Sequence, residues 1–446
     1  MDSRSDTIAA IATAPGRSGV AVVRVSGPDA FAVGERVAGR RPEPGRVFFA
    51  RFGGPGAAAI DNGLLLAFAA PHSYTGEDVV ELQCHGGSVA PRRVLEACFA
   101  AGARLARRGE FTERAFLYGK ISYEQAEGVI DLIDAKTARA ADAALEELEG
   151  GDQGRTGVFR RLYDATLEMS ATVEHSLDVS EEELPPSFFA ALDASLSGLR
   201  SAIRDARRRL RERKLLRDGA LVVLAGAPNA GKSSLMNALL GESRAIVSAT
   251  PGTTRDSIEE WLDVGGWPVR LVDTAGLRES SDAIEAEGVR RSESLMGKAD
   301  LVLMLEPAGE EACASRGREA SGAGAPTILI ASKCDIARGP GLNVSSVTGE
   351  GLDALRAAIA ARLAELADSP SAGEAEVSSE VAGRRMAALA GAESALAPFE
   401  GPSSGFDLVL FANALRDACE RLGAVCGATY SADLLDSLFS RFCVGK

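Results

Sequence analysis

The chain has 446 residues, 46% apolar and 25% charged, a composition typical of a globular protein of about three domains. Its formal net charge is −14, so any contact with nucleic acid needs a local basic patch. The seven cysteines form no CxxC pair, which argues against a disulfide framework and against a cysteine-ligated zinc site. Because no apolar run approaches about 18 residues and no secretory pattern opens the chain, we expect a cytoplasmic protein without a membrane span.

Strand-like stretches alternate with turns over the N-terminal part of the chain. Val20–Gly27, Leu64–Pro71 and Val79–Gly87 are apolar runs closed by Gly or Pro, which predicts three strands. Between Val89 and Gly102 apolar side chains recur at helical spacing, which predicts an amphipathic helix. We therefore expect an α+β domain over residues 1–118.

A helical region follows. Ser122 and Gln125 have the spacing of a capping box, which marks the start of a helix. We place the first half of a helical domain at residues 119–216. The acidic stretch Ser180–Pro186 interrupts it, and Ser187 is the predicted N-cap of the next helix.

Strands and helices alternate from residue 217 to residue 370, which predicts a mostly parallel sheet with helices on both faces. The predicted strands are Leu221–Gly226, Val269–Asp273, Leu301–Glu306, Thr327–Ser332 and Leu342–Ser346. A linker-like segment, Asp368–Ser379, comes next, and residues 371–446 are helical again. The simplest architecture is a discontinuous helical domain with an α/β domain inserted between its halves.

A phosphate-binding motif joins the first of these strands to a helix. Residues Gly226–Ser233 read GAPNAGKS and match GxxxxGK[ST] in the strand–loop–helix context that the motif requires. The glycines and the helix N-terminus allow backbone N–H groups to surround the phosphates. We expect Lys232 to contact the β- and γ-phosphates and Ser233 to ligate Mg²⁺. The predicted nucleotide contacts here are Asn229, Ala230, Gly231, Lys232, Ser233 and Ser234.

Two further motifs complete a GTPase pattern. Thr254, in PGTTRD, is the predicted second Mg²⁺ ligand, and Asp273 and Gly276 form the Asp-x-x-Gly that serves Mg²⁺ and the γ-phosphate. Leu277 follows Gly276, so the glutamine with which Ras-like enzymes orient water is missing. The predicted contacts of these loops are Ser248, Ala249, Thr250, Pro251, Gly252, Thr253, Thr254, Asp273, Thr274, Ala275 and Gly276.

The guanine-reading position is unusual. Guanine-binding proteins carry Asn-Lys-x-Asp after the fourth of these strands, whereas this chain has Ser332-Lys333-Cys334-Asp335. We expect Asp335 to accept from guanine N1–H and the N2 amino group, and the stem of Lys333 to cover the base. Ser332 should lose one hydrogen bond of the asparagine, about 1 kcal/mol, so we predict GTP over ATP with weakened affinity. Ser345, Ser346 and Val347 form the second predicted base loop.

Four stretches stand out together: Tyr74–Gly87, Arg108–Ala135, Gly226–Leu240 with its companion motif TPGTTRD, and Leu434–Lys446. They span the chain and resemble the MnmE (TrmE) family of tRNA modification GTPases. The resemblance implies a folate-binding α+β N-terminal domain, a discontinuous helical domain and an inserted Ras-like P-loop GTPase domain with a mostly parallel sheet. It also implies a homodimer through the N-terminal domains.

The resemblance implies a reaction as well. With a flavoprotein partner, MnmG (GidA), in a heterotetramer-type complex, the family installs an aminomethyl or carboxymethylaminomethyl group at C5 of the wobble uridine of certain tRNAs. Methylene-tetrahydrofolate supplies the carbon, 5-formyl-tetrahydrofolate is an analogue of it, and FAD enters only through the partner. GTP hydrolysis with Mg²⁺ accompanies association of the G domains.

Residue roles follow from the same match. K⁺ replaces an arginine finger, with Asn229, Ser248, Thr250 and Thr253 as its expected ligands and Glu285 as the carboxylate that orients water. Arg24, Glu81, Lys120 and Lys446 are the expected folate contacts. Cys443 is a candidate nucleophile that would add to uridine C6 and so activate C5.

Alternatives remain open at this stage. The arginine-rich stretch Arg204–Arg217 either packs as a helix face or binds tRNA phosphates. The G domain by itself also fits an Era-like ribosome-assembly GTPase, although the appended regions resemble folate and helical domains instead. A folate-dependent transferase with a vestigial G domain is a further alternative.

Overall fold

The computed structural model describes residues 6–54, 56, 58–149, 155–177, 184–242, 259–273, 295–308, 325–368, 380–426, 435 and 438–446. The chain forms two compact units. The first comprises Met1–Ile130 with Thr429–Lys446, and the second comprises Asp131–Ala428.

The first unit contains a six-stranded sheet with the order β3-β4-β5-β2-β1-β6. Neighbouring strands of this sheet run antiparallel, except for β1 and β6, which run parallel to each other. The strands are β1 Ile8–Ile11, β2 Ala21–Ser26, β3 Val47–Phe52, β4 Asp61–Phe68, β5 Val79–Cys84 and β6 Arg104–Leu105. The helices are α1 Ala30–Ala38, α2 Ala90–Ala100 and α3 Glu110–Leu117, and α4 Tyr123–Asp134 begins in this unit. The three predicted strands and the predicted helix are confirmed.

Alternation along the strands separates two faces of this sheet. Val23 on β2 and Leu82 on β5 are fully buried and pack in one cluster with Val94 of α2. Successive side chains of a strand point to opposite faces, so Arg24 and Glu81, which pair across β2 and β5, lie on the other face. The core therefore occupies one face, and charged groups occupy part of the other.

A buried ion network fixes α3 to the sheet. Arg114 is 4% exposed, and its guanidinium donates to both Glu77 and Glu110 at 3.1 Å. Arg104 also donates to Glu110, and Ser26 donates to Glu77 at 2.8 Å. Buried charges are tolerated only when they are paired and hydrogen-bonded, and here each carboxylate has several donors.

The helices of the second unit are α5 Ala138–Glu149, α6 Arg155–Ser176, α7 Pro186–Asp218, α10 Glu380–Leu396 and α11 Leu408–Cys426, numbered so that α8 and α9 belong to the G domain. Buried side chains of α6, α7, α10 and α11 form one apolar cluster, so segments before and after the G domain share a core.

The predicted N-cap at Ser187 is wrong. Pro185 is the N-cap and Pro186 opens α7, because the fixed φ of proline suits a first helical turn.

The capping box before α4 is confirmed. The Ser122 backbone N–H donates to Gln125 Oε1 at 2.9 Å, and the Gln125 backbone N–H donates to Ser122 Oγ at 3.2 Å. These two bonds satisfy donors that the first turn of a helix leaves without partners.

The G domain of the second unit has a sheet with the order β12-β11-β10-β7-β9-β8. Its strands are β7 Ala220–Gly226, β8 Glu259–Val264, β9 Trp267–Asp273, β10 Leu301–Pro307, β11 Thr327–Ser332 and β12 Leu342–Val344, with helices α8 Lys232–Glu242 and α9 Leu352–Asp368. All neighbours are parallel except β8 and β9, which confirms the predicted mostly parallel sheet. The linker-like segment lies almost wholly outside the described residues.

The β8–β9 hairpin packs against the start of α5. Thr137 Oγ1 donates to the Gly266 carbonyl at 2.8 Å, and the Arg139 guanidinium lies 4.0 Å from the centroid of the Trp267 ring. Arg139 also donates to Glu212 of α7 at 2.6 Å. The hairpin runs from residue 259 to Asp273, so it joins the two segments that carry Thr254 and Gly276 in the sequence.

Within the described residues, the helices are too short or too polar to span a lipid bilayer.

Candidate functional site

The phosphate loop lies between β7 and α8, as the motif predicts. Asn229 has a φ of 63° and Gly231 a φ of 94°, so the loop uses the left-handed region twice just before α8 begins. Asparagine and glycine are the residues that tolerate this conformation best. Ala230 between them is fully buried in the core of the G domain, which anchors the loop.

Lys232 is held over the loop that it serves. Its Nζ donates to the carbonyls of Gly226 and Ala227, each at 2.9 Å, and the residue is only 6% exposed. The ammonium group is thereby fixed over the phosphate loop, where the motif predicts that a phosphate chain would lie.

Ser233 and Asp273 meet in space although 40 residues separate them. Ser233 Oγ donates to Asp273 Oδ2 at 2.6 Å, and Asp273 is 1% exposed at the end of β9. Hydroxyl and carboxylate oxygens are hard donors of the kind Mg²⁺ prefers. Among the described residues no three His, Cys, Asp or Glu side chains converge as a metal cage. This donor set therefore fits a Mg²⁺ ion that takes its other ligands from phosphates and water.

Several predicted residues lie outside the described residues. They are the loop residues Ser248, Ala249, Thr250, Pro251, Gly252, Thr253 and Thr254, the motif residues Thr274, Ala275 and Gly276, and Glu285. Their roles stay predictions.

Ser332, at the end of β11, connects the base-reading strand to the phosphate loop. Its Oγ lies 2.7 Å from the Ala230 carbonyl oxygen and 3.2 Å from the Glu306 carbonyl oxygen, and the residue is 6% exposed. The hydroxyl thus retains the tie between the two loops that an asparagine would make.

The remaining base-loop residues lie around this point. Lys333 has a φ of 60° and, like Asp335, is exposed, so its side chain and the Asp335 carboxylate are free to meet a base. Ser345 is fully buried, and its Oγ accepts from the backbone N–H groups of Val347 and Thr348 at 3.3 and 3.2 Å. Ser345 therefore shapes the second base loop from within, while Val347 is exposed.

A second cluster lies in the N-terminal unit. Arg24 Nε donates to Glu81 Oε1 at 2.9 Å, and the two side chains are only 19% and 16% exposed. The Arg24 guanidinium lies 5.6 Å from the Tyr74 ring centroid and 5.8 Å from that of Phe111. Charged and aromatic side chains thus share one corner of the sheet, a combination that suits a flat heteroaromatic ligand with polar edges.

The C-terminal tail reaches this cluster. Phe439 and Phe442 are buried, and Val444 forms an antiparallel bridge with Arg108. Gly445 approaches Ile11 so closely that a Cβ atom there would collide with the Ile11 carbonyl oxygen. These contacts hold the last residues of the chain against the sheet.

The tail brings two of the predicted residues to this unit. Burial lowers the pKa of Lys446, and the nearby Arg24 lowers that pKa further, whereas Glu81 opposes both. Lys446 therefore lies within electrostatic range of both cluster residues. Cys443 is exposed, and its carbonyl accepts from the backbone N–H groups of Lys446 and Gly109 at 3.3 and 3.5 Å.

The described hydrogen bond of the Lys120 side chain is not to Arg24, Glu81 or Lys446. Its Nζ donates to the Pro71 carbonyl at 2.9 Å, and its stem passes Gly76. Gly76 belongs to the same Tyr74–Gly87 stretch as Tyr74, so Lys120 borders the stretch from another side.

Sequence reasoning missed the aromatic and ionic support of this corner. Tyr74 donates to or accepts from Thr112 at 2.9 Å, and Glu77 and Arg114 form the ion network described above. A signal was present, since these residues fall inside the two most distinctive N-terminal stretches, YTGEDVVELQCHGG and RGEFTERAF.

The arginine-rich stretch of α7 is largely committed to packing. Arg207 forms a close ion pair with Glu393 of α10, Arg211 is 9% exposed, and Arg213 lies 3.1 Å from Glu147 of α5. Arginines that are buried or paired in this way stabilise the helix contacts and are not available to phosphates. The packing interpretation is therefore favoured for these three residues, whereas Arg204, Arg208 and Arg209 of the same stretch are exposed.

Comparisons with known proteins give matches that together extend over almost the whole chain. Residues 7–120 match the family model described as GTP-binding protein TrmE N-terminus, and residues 124–443 match the MnmE helical domain. The tRNA modification GTPase MnmE of Symbiobacterium thermophilum is 42% identical over 470 residues, covering 99% of each chain. The proteins of the same name from Neisseria meningitidis serogroup C / serotype 2a and from Azoarcus sp. (strain BH72) are each 42% identical. They cover 100% and 99% of this chain and 100% and 98% of their own lengths.

These matches agree with the α+β N-terminal domain, the discontinuous helical domain and the inserted P-loop domain. Among solved structures, the G domain of the T. maritima FeoB iron transporter aligns at 31% identity over 32% of this chain and 98% of that one, with a TM-score of 0.26. The 42% identity to the curated MnmE proteins over the full length of the chain establishes the family. The chain is therefore a GTP-hydrolysing enzyme that belongs to the tRNA modification GTPases named MnmE.

Proposed function

We propose that this protein installs an aminomethyl-type group at C5 of the wobble uridine of certain tRNAs, in the cytoplasm and together with the flavoprotein MnmG (GidA). In this proposal methylene-tetrahydrofolate supplies the carbon, FAD enters only with the partner, and GTP hydrolysis drives the conformational cycle. The observation that carries the proposal is the convergence of Arg24, Glu81 and Lys446 beside aromatic rings in the N-terminal unit.

The chemistry of that corner suits a folate. Glu81 is positioned to accept from the N–H donors of a pterin edge, and Arg24 and Lys446 supply charge for a pterin carbonyl or the glutamate carboxylates. Tyr74, which is partly exposed, offers apolar surface for a ring to pack on, and the fully buried Phe111 lies beside Arg24 in the core of this unit. Lys120 is assigned to the outer end of the folate, since it lies beside Gly76 of the same stretch.

Cys443 is the proposed nucleophile toward the tRNA. Its thiolate would add to C6 of the uridine, which makes C5 nucleophilic toward the one-carbon unit. After the C5–carbon bond forms and C5 loses its proton, tetrahydrofolate leaves the transferred carbon, and the nitrogen of an amine, ammonium or glycine, bonds to that carbon in its place. Departure of the thiolate from C6 then restores the ring. The tail that carries Cys443 also carries Lys446 of the folate corner, which supports a joint site for uridine and carbon donor.

The nucleotide half of the proposal uses the phosphate loop. Lys232 would bind the β- and γ-phosphates, Ser233 and Thr254 would ligate Mg²⁺, and Asp273 would hold the Mg²⁺ shell. Asn229, Ser248, Thr250 and Thr253 would ligate K⁺, which offsets charge beside the β–γ bridge where other GTPases use an arginine. Glu285 would orient the attacking water in place of the missing glutamine.

The family resemblance implies a homodimer through the N-terminal domains, and an exposed apolar strip, defined by Val47, Phe49, Leu64 and Phe68, supports this proposal. Their exposures are 58%, 74%, 39% and 39%, high for large apolar residues gathered in one place. Phe49 pairs with Leu64 across β3 and β4, and Leu66 pairs with Glu81, so the strip shares a face with the folate corner. A second copy of this chain is the proposed occupant, because β3 is an edge strand and no strand of the described residues pairs with its outer side.

Transfer of labelled carbon tests the proposal directly. The full-length protein, the partner flavoprotein, unmodified tRNA, GTP and methylene-labelled tetrahydrofolate are combined, and label is counted in the tRNA. We expect transfer with the wild type and with Arg46→Ala, which removes an exposed ion pair elsewhere in the same unit. Arg24→Ala should lose transfer, and equal transfer by Arg24→Ala would contradict the assigned corner.

A further inference from the structure

The Ser332 hydroxyl is fully used inside the protein. Both oxygens within its reach, those of Ala230 and Glu306, are carbonyl acceptors, at 2.7 and 3.2 Å. A serine hydroxyl has one proton to donate, so that proton goes to one of these carbonyls. The lone pairs of Oγ remain, but they only accept.

The Hoogsteen edge of guanine offers the wrong kind of group to this hydroxyl. Guanine N7 and O6 are both acceptors, so neither can pair with a hydroxyl whose single proton is taken. An asparagine amide at this place has two N–H groups, one for the phosphate loop and one for N7. Serine thus keeps the hydrogen bond to the phosphate loop, at the Ala230 carbonyl, but has no donor left for guanine N7.

Neighbouring backbone bonds hold Ser332 in this role. The Ser332 carbonyl accepts from the Ala308 backbone N–H at 3.0 Å, and the Cys334 backbone N–H donates to the Val344 carbonyl at 3.3 Å. Ala230, on the other side of the tie, is fully buried. Because both ends are anchored, turning the hydroxyl toward a base would leave the Ala230 carbonyl without this donor.

We infer that this chain reads guanine through its Watson–Crick edge alone, with Ser332 as a positioning residue that couples the base loop to the phosphate loop. The inference rests on the proposed nucleotide site and deepens it. It makes guanine nucleotides altered at N7, such as 7-deaza-GDP, full ligands of the site. Selectivity then depends on Asp335, which faces N1–H and the N2 amino group.

Binding of three nucleotides to the wild-type protein tests this inference without any substitution. Dissociation constants of GDP, 7-deaza-GDP and inosine diphosphate are measured by calorimetry on the full chain with Mg²⁺. GDP and 7-deaza-GDP should agree within about twofold, because no bond to N7 is lost. Inosine diphosphate lacks the N2 amino group and should bind roughly 10-fold more weakly, which shows that the assay detects a lost base contact.

Two variants extend the test, with a matched control on the same strand. Ser332→Asn restores a second donor, so GDP should bind about fivefold more tightly than 7-deaza-GDP. Ser332→Ala removes the tie and should weaken both nucleotides equally. Thr327→Val, at the other end of β11, removes a hydroxyl that donates to the Ala325 carbonyl and should leave the ratio unchanged.

The outcomes separate this inference from the proposed site. Wild-type protein that prefers GDP over 7-deaza-GDP by about fivefold or more has a donor to N7, and that result overturns the inference while leaving the nucleotide site intact. A Ser332→Asn protein that binds GDP without discriminating also overturns the role of Ser332. Wild-type protein that binds none of the three nucleotides overturns the proposed site itself, and the inference with it.

Discussion

Arg24 Nε lies 2.9 Å from Glu81 Oε1, on the face of the N-terminal sheet opposite its main apolar core. The pair is shielded by Tyr74 and Phe111 and lies within electrostatic range of Lys446. A half-buried ion pair of this kind is a costly place to keep a charge unless a ligand uses it. It is the structural centre of the proposed folate chemistry.

Removal of Arg24 should weaken folate binding. Arg24→Ala deletes a charge-assisted donor and leaves Glu81 without its partner, so affinity for 5-formyl-tetrahydrofolate should fall roughly 10- to 100-fold. Titration calorimetry on the full-length protein measures it. Arg46→Ala, whose ion pair with Glu43 is exposed, should bind like the wild type. Unchanged affinity in Arg24→Ala would place the folate elsewhere.

Asn229 should control the response to potassium. Its φ of 63° makes alanine a strained substitute, whereas glycine accepts that conformation and removes only the side chain. Asn229→Gly should therefore raise the K⁺ concentration for half-maximal GTP turnover about 10- to 100-fold, the usual loss when a metal site is disturbed. Turnover is measured in K⁺ and in Na⁺. Asn237→Ala, on the exposed face of α8, is the control. Equal GTP turnover by the wild type in K⁺ and in Na⁺ would contradict the proposal that K⁺ takes part in GTP hydrolysis.

Cys443 should separate tRNA chemistry from GTP hydrolysis. Cys443→Ser keeps the backbone contacts of the tail but replaces the nucleophile, so tRNA modification should stop while GTP turnover and folate binding persist. Cys426→Ser, on α11 of the other unit, should leave modification intact. Normal wobble modification by a folded Cys443→Ser protein would end the nucleophile hypothesis.

Glu110 should make the N-terminal unit sensitive to acid. Burial would raise the pKa of this carboxyl, but Arg104 and the other donors outweigh burial and hold it at about 2, below the ordinary value of 4.5. Its stabilisation is thus complete above about pH 4.5 and is lost as the pH falls toward 2. That difference corresponds to about 3 kcal/mol of folding free energy.

The comparison of wild type with Glu110→Gln isolates this contribution. Hydrogen exchange of α3 and β1 amides, corrected for intrinsic rates, gives the local stability at pH 6 and at pH 3. The variant should be less stable at pH 6, and the gap should narrow at pH 3. Glu43→Gln removes an exposed carboxylate of the same unit and should show neither effect. A gap that does not change with pH would mean that Glu110 acts only through packing.

The strands of the G domain were predictable because parallel strands covered on both faces form continuous apolar runs that end at motif residues. Four strands, β1, β3, β6 and β8, were not predicted, and for β8 and β3 the reason is the opposite one. Glu259–Val264 and Val47–Phe52 are edge strands with several exposed positions, so charge and apolar residues mix without a clear period. Edge strands depend on the neighbour with which they pair, and that neighbour is not visible in the local sequence.

The candidate sites show a similar division. The phosphate loop was predictable because its residues are contiguous, and Lys232 and Ser233 lie where the motif requires. The approach of Lys446 to Arg24 was expected only from family resemblance, since no local pattern joins two ends of a chain. The tie from Ser332 to Ala230 was not predictable either, because it depends on how deeply one hydroxyl is buried.

Nucleoside analysis of tRNA shows whether this protein is needed for wobble-uridine modification. Total tRNA is compared from cells with the gene intact, cells lacking it, and cells restored with either wild-type or Arg24→Ala protein. We predict that tRNA from cells lacking the protein has no aminomethyl-type group at the wobble uridine. The group should return in cells restored with the wild type and stay absent in cells restored with Arg24→Ala. Wobble uridines that remain modified in cells lacking the protein would contradict this prediction.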